Sequence, residues 1–200
     1  LRALLIAGGC CHDYAKQRLI LAEGLSSRAN IEIEFAHTDD KSTKPNSEIY
    51  NNADWAKGYD VIIHDECAAD IKDIDVVKGV IKPHDDGIPA VALHCAMHSY
   101  RTGDHNKKVV KTGTLDSLWF EFLGIQSSRH GPKEPIEISI TAKNHPITKG
   151  AGDWTTLKEE LYNNLAVFDG VEKLADGKQG KEEAVVVWTN LYGKKKTRVF

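Results

Sequence analysis

The chain has 200 residues and a net charge of −3, with 41% hydrophobic and 28% charged residues. This composition can build a packed core and excludes a disordered chain, while the dispersed basic residues exclude the clustered basic face that nucleic acid requires. No stretch reaches the roughly 18 apolar residues that cross a bilayer. We therefore expect one domain over residues 1–200, with neither nucleic acid nor membrane as a partner, and the cellular compartment stays open.

The first hundred residues alternate short apolar runs with helical patterns. The predicted strands are Arg2–Ala7, Ile31–Phe35, Val61–His64 and a fourth that ends at Leu93; the predicted helices are Tyr14–Arg28, with Asp13 as N-cap, and Ile71–Lys82. Short, continuously apolar strands are typical of buried parallel sheets. The alternation predicts an α/β fold: a doubly wound, flavodoxin-like, mostly parallel sheet with helices on both faces. Strand order 2-1-3-4 places the switch point between strands one and three.

The second half is less regular. We predict a short aromatic helix at Leu115–Leu123 and strands at Pro135–Thr141, Glu183–Leu191 and Thr197–Phe200, the last two joined by a turn at Gly193–Lys196. The polar segment 38–53 reads as a long loop, and loops of this length inside a domain are more often functional than idle.

Three of the predicted strands stop at clusters of His, Cys and acid. The clusters are Cys10-Cys11-His12-Asp13, His64-Asp65-Glu66-Cys67 and His94-Cys95-Ala96-Met97-His98. The carboxyl ends of parallel strands share one edge, where ligands bind. We therefore expect the imidazoles of His12, His64 and His94 to surround one crevice.

The chemistry of this crevice stays open between three interpretations. His12, His64 and His94, with Glu66, could bind a divalent metal, could act as general acids and bases without one, or could simply bond backbone carbonyls. Gly8-Gly9 is not followed by the G-x-G-x-x-G spacing, so we expect no nucleotide cofactor.

Residues of the second half could complete a site. Arg101, one turn beyond His98, could clamp a carboxylate or sugar hydroxyls, or could form a plain salt bridge. Glu160 beside Tyr162 is a candidate general base or sugar-hydroxyl ligand.

The tryptophans divide into two groups. We expect Trp119, Trp154 and Trp188 in the core, and Trp55, in a loop, as a stacking platform for a sugar face.

The four cysteines do not resemble a secreted disulfide framework. We expect reduced thiols near the site, and a bridge from Cys10 or Cys11 to Cys67 stays open. Cys95 follows a strand, where a nucleophile elbow would lie, but Leu93 and Met97 are bulky where an elbow needs small residues.

Several short motifs together resemble the ThuA-like family, named for trehalose utilisation. They are Gly9-Cys10-Cys11-His12-Asp13-Tyr14, His94, the run 119–124 followed by His130, the run 145–150, Glu159-Glu160-Leu161-Tyr162, and Val187-Trp188-Thr189-Asn190. The resemblance spans essentially the whole chain. It implies the class I glutamine-amidotransferase-like α/β fold.

The resemblance also implies a role in disaccharide breakdown, by way of 3-keto-glycosides. Glutaminase activity is not expected, because the glycine-flanked Cys elbow is missing and His145-Pro146 is followed by Ile147 rather than Glu. The chain stops before the Gly-His that closes the ThuA-like domain, so we expect a single domain truncated at its C-terminal end.

The leading hypothesis is therefore a sugar-processing hydrolase, lyase or isomerase with a small-molecule sugar substrate. Its predicted catalytic residues are His12, His94, Glu160, His64 and Glu66, and its predicted substrate-binding residues are Asp13, His98, Arg101, His130 and Tyr162. A divalent metal and a homo-oligomer stay open. The alternatives are a non-catalytic carbohydrate-binding module and a Cys-dependent amidotransferase-like hydrolase.

Overall fold

The computed structural model describes residues 1–200. The strands are β1 Arg2–Gly9, β2 Glu32–His37, β3 Val61–Cys67, β4 Ala90–Ala92, β5 Ile125–Gln126, β6 His130–Ile140, β7 Trp154–Tyr162, β8 Ala166–Val167, β9 Glu172–Gln179, β10 Glu182–Tyr192 and β11 Thr197–Val199. The α-helices are α1 Tyr14–Ser26, α2 Ile74–Asp85 and α3 Leu118–Leu123. Short 3-10 helices cover Glu48–Asn51, His94–His98 and Leu115–Ser117. No helix is both long and apolar enough to cross a membrane.

Nine strands form one sheet in the order β2-β1-β3-β4-β11-β10-β9-β6-β7, and β5 pairs with β8 separately. The predicted order 2-1-3-4 is confirmed, and these strands pair in parallel. From β11 onward the strands that follow pair antiparallel. The sheet is therefore mixed, and the expectation of a mostly parallel sheet describes only its first half.

The two longer helices pack on the parallel strands through separate clusters of apolar side chains. Leu21 and Leu25 of α1 pack against the cluster that contains Leu5 and Ile63, and Val80 of α2 shares a cluster with Ala90 and Val199. Asp13 caps α1 by accepting a hydrogen bond from the backbone N–H of Lys16.

Helix α2 begins three residues later than the apolar spacing predicts. The side chain of Asp73 accepts hydrogen bonds from the N–H groups of Asp75 and Val76, which satisfies the first turn there. The helix then continues through Pro83 to Asp85.

Two tryptophans lie where the sequence does not place them. Trp55 is 4% exposed, and its indole N–H donates to the Gly79 carbonyl, so it is core rather than an open stacking platform. Trp154 begins the edge strand β7 and is 46% exposed.

Candidate functional site

Two imidazoles meet at the carboxyl edge of the parallel strands. His12 lies in the loop after β1, and His94 begins the 3-10 helix after β4. Their ring centroids are 4.8 Å apart and nearly perpendicular. His94 has a φ of 42° and Cys11, which precedes His12, a φ of 86°. Such conformations cost side-chain-bearing residues about 1–3 kcal/mol and cluster at functional sites.

Strand β7 brings two carboxylates to this pair. An oxygen of Glu159 lies 3.3 Å from Nε2 of His94, and Glu160 lies 3.6 Å from the ammonium of Lys133 and 3.9 Å from Nδ1 of His130. The sequence interpretation treated this acidic segment as irregular, whereas it forms the last part of a nine-residue strand.

Tyr162, at the end of β7, lies among three imidazoles. Its ring stacks on His98 at 4.1 Å and on His130 at 5.3 Å, and its centroid is 4.8 Å from that of His94. Burial and the neighbouring Glu160 carboxylate raise the pKa of the Tyr162 phenol, so it stays protonated and can donate a hydrogen bond.

His98 and Arg101 support the site from beneath and are both buried. Burial and the charge of Arg101 lower the pKa of His98 to about 2, and its Nε2 contacts the Ser127 hydroxyl at 2.8 Å. Arg101 donates to the carbonyls of His98, Ser127 and Ser128. These contacts fix Arg101 against the backbone of two segments, and substrate binding by Arg101 stays a prediction.

His64 and Glu66 lie outside the crevice. Both are fully buried, and His64 Nδ1 contacts Glu66 at 2.9 Å while its Nε2 contacts His84 at 3.1 Å. Aromatic rings surround this pair, from Trp55, His84, Trp119 and Phe122 around His64 and from Tyr50 and Tyr100 at Glu66. The expected convergence of three imidazoles therefore holds for His12 and His94 only. On the even-numbered face of β3 these side chains point into the core beneath α2, where no substrate can reach them.

The cysteines are paired rather than reduced. Disulfides join Cys10 to Cys11 and Cys67 to Cys95, which leaves no free thiol. The expectation of reduced thiols is wrong for this structure. Cys95 is buried and bonded, so it offers no thiolate to serve as a nucleophile.

Two hollows flank the His12–His94 pair. On one side, a largely apolar cavity of about 270 Å³ is lined by His94, Glu160, Tyr162 and Trp188, with Val185–Val187 and Phe200 among its apolar residues. On the other side, an open cavity of about 440 Å³ is lined by Cys11, His12, Asp13 and Lys41. Trp188, which donates its indole N–H to the Leu123 carbonyl, thus provides the aromatic wall that we expected from Trp55.

The arrangement can transfer protons. Burial, and after it the neighbouring His94 imidazole, lower the pKa of His12, so its lone pair is available at neutral pH. The ligand atoms of His94, Glu159 and Glu160 lie within 4.8 Å of one another, a nitrogen and oxygen set that suits a divalent cation. His94 belongs to this set, His12 lies beside it with its ring centroid 4.8 Å from that of His94, and the buried His64 lies away from it.

The family profile described as "ThuA: Trehalose utilisation" matches residues 2–200. The chain belongs to the ThuA family. A search of curated proteins finds no match. Among solved structures, the chain resembles a ThuA-like protein of Bacteroides uniformis with 16% identity and a TM-score of 0.66, covering 100% of this chain and 80% of that one. It also resembles a ThuA-like protein of Parabacteroides merdae with 14% identity and a TM-score of 0.69, covering 100% of this chain and 77% of that one. These similarities show a shared fold.

Sequence reasoning misses several residues that the ThuA fold brings to this site. Glu159 contacts His94 although only its neighbour Glu160 was predicted at the site, Trp188 was expected in the core, and Lys133 was not predicted at all. The signal available for Glu159 is its place in the motif Glu159-Glu160-Leu161-Tyr162. No local pattern marks Lys133, which reaches Glu160 through the pairing of β6 with β7.

Proposed function

We propose that this trehalose-utilisation-related chain is an enzyme of disaccharide breakdown, acting on a keto-sugar by proton transfer at His12 and His94. The observation that carries the proposal is the contact between these rings, 4.8 Å apart, beside a cavity lined by Glu160, Tyr162 and Trp188. General acid–base catalysis needs two such groups within reach of one substrate.

In this proposal His12 is the base. Its lowered pKa keeps the imidazole neutral at pH 7, so it can remove the acidic proton next to a sugar carbonyl. His94, held by Glu159 at 3.3 Å, protonates the departing glycosidic oxygen. Glu160 and Tyr162 bind sugar hydroxyls, and Trp188 provides an apolar wall for the sugar face.

The test incubates the purified chain with 3-keto-disaccharides and follows release of the monosaccharide by mass spectrometry. We expect His12→Gln and His94→Gln each to lower kcat by about 10²–10⁴-fold, the usual contribution of a positioned acid or base. His145→Gln is the matched control, because His145 forms a similar imidazole–carboxylate contact with Glu172 away from both cavities. It should keep wild-type turnover.

Each assay is run with and without added Zn²⁺ or Mn²⁺, because His94, Glu159 and Glu160 could hold a cation. No turnover under either condition would contradict the proposal. Sugar binding by calorimetry that survives His12→Ala and His94→Ala, again without turnover, would favour a carbohydrate-binding module.

A further inference from the structure

All four cysteines of the chain lie in one cluster at the edge that carries His12 and His94. Beyond the two disulfides, the sulfur of Cys10 lies 3.5 Å from the sulfur of Cys67. The strands impose this proximity, because Gly9 of β1 is paired with Cys67 of β3, and Leu93, next to β4, bonds through its N–H to the carbonyl of His64. The two disulfides are therefore in direct sulfur–sulfur contact.

Of the four cysteines in this cluster, only Cys11 is open to an external thiol. Cys11 is exposed and lines the open cavity of about 440 Å³, together with His12 and Lys41. Cys10, Cys67 and Cys95 are 8%, 2% and 5% exposed. Since thiol–disulfide exchange requires a thiolate to reach a sulfur, an external thiol can attack only at Cys11.

We propose that the cluster is a thiol–disulfide exchange centre that accepts two electrons from a small dithiol at Cys11 and passes them to the buried Cys67–Cys95 bond. The dithiol's thiolate attacks the Cys11 sulfur, which breaks the Cys10–Cys11 bond and frees Cys10 as a thiolate. The second thiol of the reductant then releases Cys11 and leaves as the oxidised cyclic disulfide.

The second stage stays inside the protein. The Cys10 thiolate attacks the Cys67 sulfur 3.5 Å away, forms a Cys10–Cys67 bond and expels Cys95 as a thiolate. The two protons of the dithiol end on Cys11 and Cys95. The net change is one dithiol oxidised and one of two protein disulfides reduced.

The exchange acts on the backbone that carries both imidazoles. Cys11 directly precedes His12, and Cys95 directly follows His94. Opening Cys67–Cys95 removes the covalent link between the end of β3 and the 3-10 helix that begins at His94. The proposal does not depend on the sugar chemistry, because its test reads thiols.

The first test titrates the native, oxidised chain with dithiothreitol, quenches with N-ethylmaleimide and maps the labelled peptides by mass spectrometry. We expect Cys11 and Cys95 to be labelled first, while a peptide cross-linked through Cys10 and Cys67 accumulates. Labelling of Cys10 and Cys11 with Cys67–Cys95 intact throughout would overturn the relay. Labelling of all four cysteines before any reductant is added would overturn the disulfides themselves.

Two matched variants isolate the transfer step. In Cys11→Ser, Cys10 is left as a thiol beside the intact Cys67–Cys95 bond, so we expect label at Cys95 without any reductant. Label confined to Cys10 would contradict transfer. In Cys10→Ser the relay is cut, and we expect Cys67–Cys95 to need on the order of tenfold more dithiothreitol than in the wild type. Unchanged reduction of that bond would contradict the route through Cys10.

Discussion

Three buried side chains, His84, His64 and Glu66, form a chain of polar contacts beneath the site. The Ile88 carbonyl can only accept a hydrogen bond, so Nδ1 of His84, 2.7 Å away, carries a hydrogen. Burial and His64 lower the pKa of His84 to about 3, which keeps it neutral with Nε2 as an acceptor. His64 Nε2 is then the donor to His84, and His64 Nδ1 lies 2.9 Å from a carboxylate oxygen of Glu66.

Replacing only one residue of the buried His64–Glu66 pair should lower the stability more, per residue replaced, than replacing both residues together. His64→Leu and Glu66→Leu should each lower the free energy of unfolding by about 3–5 kcal/mol, because each leaves a polar partner uncompensated. The double variant should lose clearly less than the sum, as measured by urea unfolding. The hydroxyls of Tyr50 and Tyr100 donate to Glu66. They lose this acceptor in the Glu66 single variant and in the double variant alike, so the loss cancels when the coupling energy between His64 and Glu66 is calculated. Additive losses would show that the pair is not coupled.

The lowered pKa of His84 predicts acid sensitivity. The unfolded chain binds a proton at this residue below about pH 6.5, whereas the folded chain does so only near pH 3. Stability from this group is therefore full above pH 6.5 and falls as pH drops toward 3, at about 1.4 kcal/mol per pH unit. When the free energy of unfolding is measured with urea at several pH values, its slope against pH should be smaller in His84→Gln than in the wild type, by the amount that one bound proton contributes. An unchanged slope would indicate that His84 is already charged in the folded chain.

At the scale of the element, the end of β1 needs glycine because a neighbouring strand passes close to it. A Cβ on Gly9 would lie 2.1 Å from the Cys67 carbonyl oxygen, and one on Gly8 would lie 2.5 Å from Cγ2 of Thr38. Contacts within the chain itself therefore account for both glycines. This close pairing is also what brings Cys10 to Cys67.

Gly9→Ala should therefore push β1 away from β3. It should lower the free energy of unfolding by more than a strained φ alone would. Gly170→Ala is the control, since Gly170 has a similar φ of 91° with nothing within 4 Å of an added Cβ, against 96° at Gly9. We expect the control to lower the free energy of unfolding by about 1–2 kcal/mol and Gly9→Ala to lower it clearly more, as measured by thermal unfolding. Equal losses of stability in the two variants would mean that β1 and β3 move apart with no loss of free energy.

The edge strand β7 shows why local patterns fail in the second half. Its sequence Trp-Thr-Thr-Leu-Lys-Glu-Glu-Leu-Tyr has no clean alternation, and Leu157 in its middle is 90% exposed. The strand forms because β6 pairs with it, a contact that no local propensity encodes. The acids of the candidate site depend on this non-local pairing.

At the scale of the whole molecule, the parallel half could be predicted and the antiparallel half only in fragments. Continuous apolar runs such as Val61–Ile63 mark buried parallel strands directly, and the order 2-1-3-4 is the one that flavodoxin-like folds adopt. The contact between β11 and β4 joins residues about a hundred positions apart, and no hydrophobic periodicity in the sequence predicts this pairing.

The candidate site divides in the same way. His12 and His94 could be predicted, because each lies in the segment just after a recognisable parallel strand. His64 was misplaced because its own strand continues to Cys67, which puts His64 inside the strand and on its core face rather than at the end.

The single short strand β11 has a kinetic consequence. It joins the two halves, pairing in parallel with Ala90 of β4 and antiparallel with Asn190 of β10 through the same residue, Val199. During synthesis the open edge of β4 must wait for the ribosome to deliver roughly a hundred further residues, a high contact order that slows folding. Until then a nascent chain displays an unpaired, apolar strand that other chains can join, so yield in the cell should depend on chaperones that cover it.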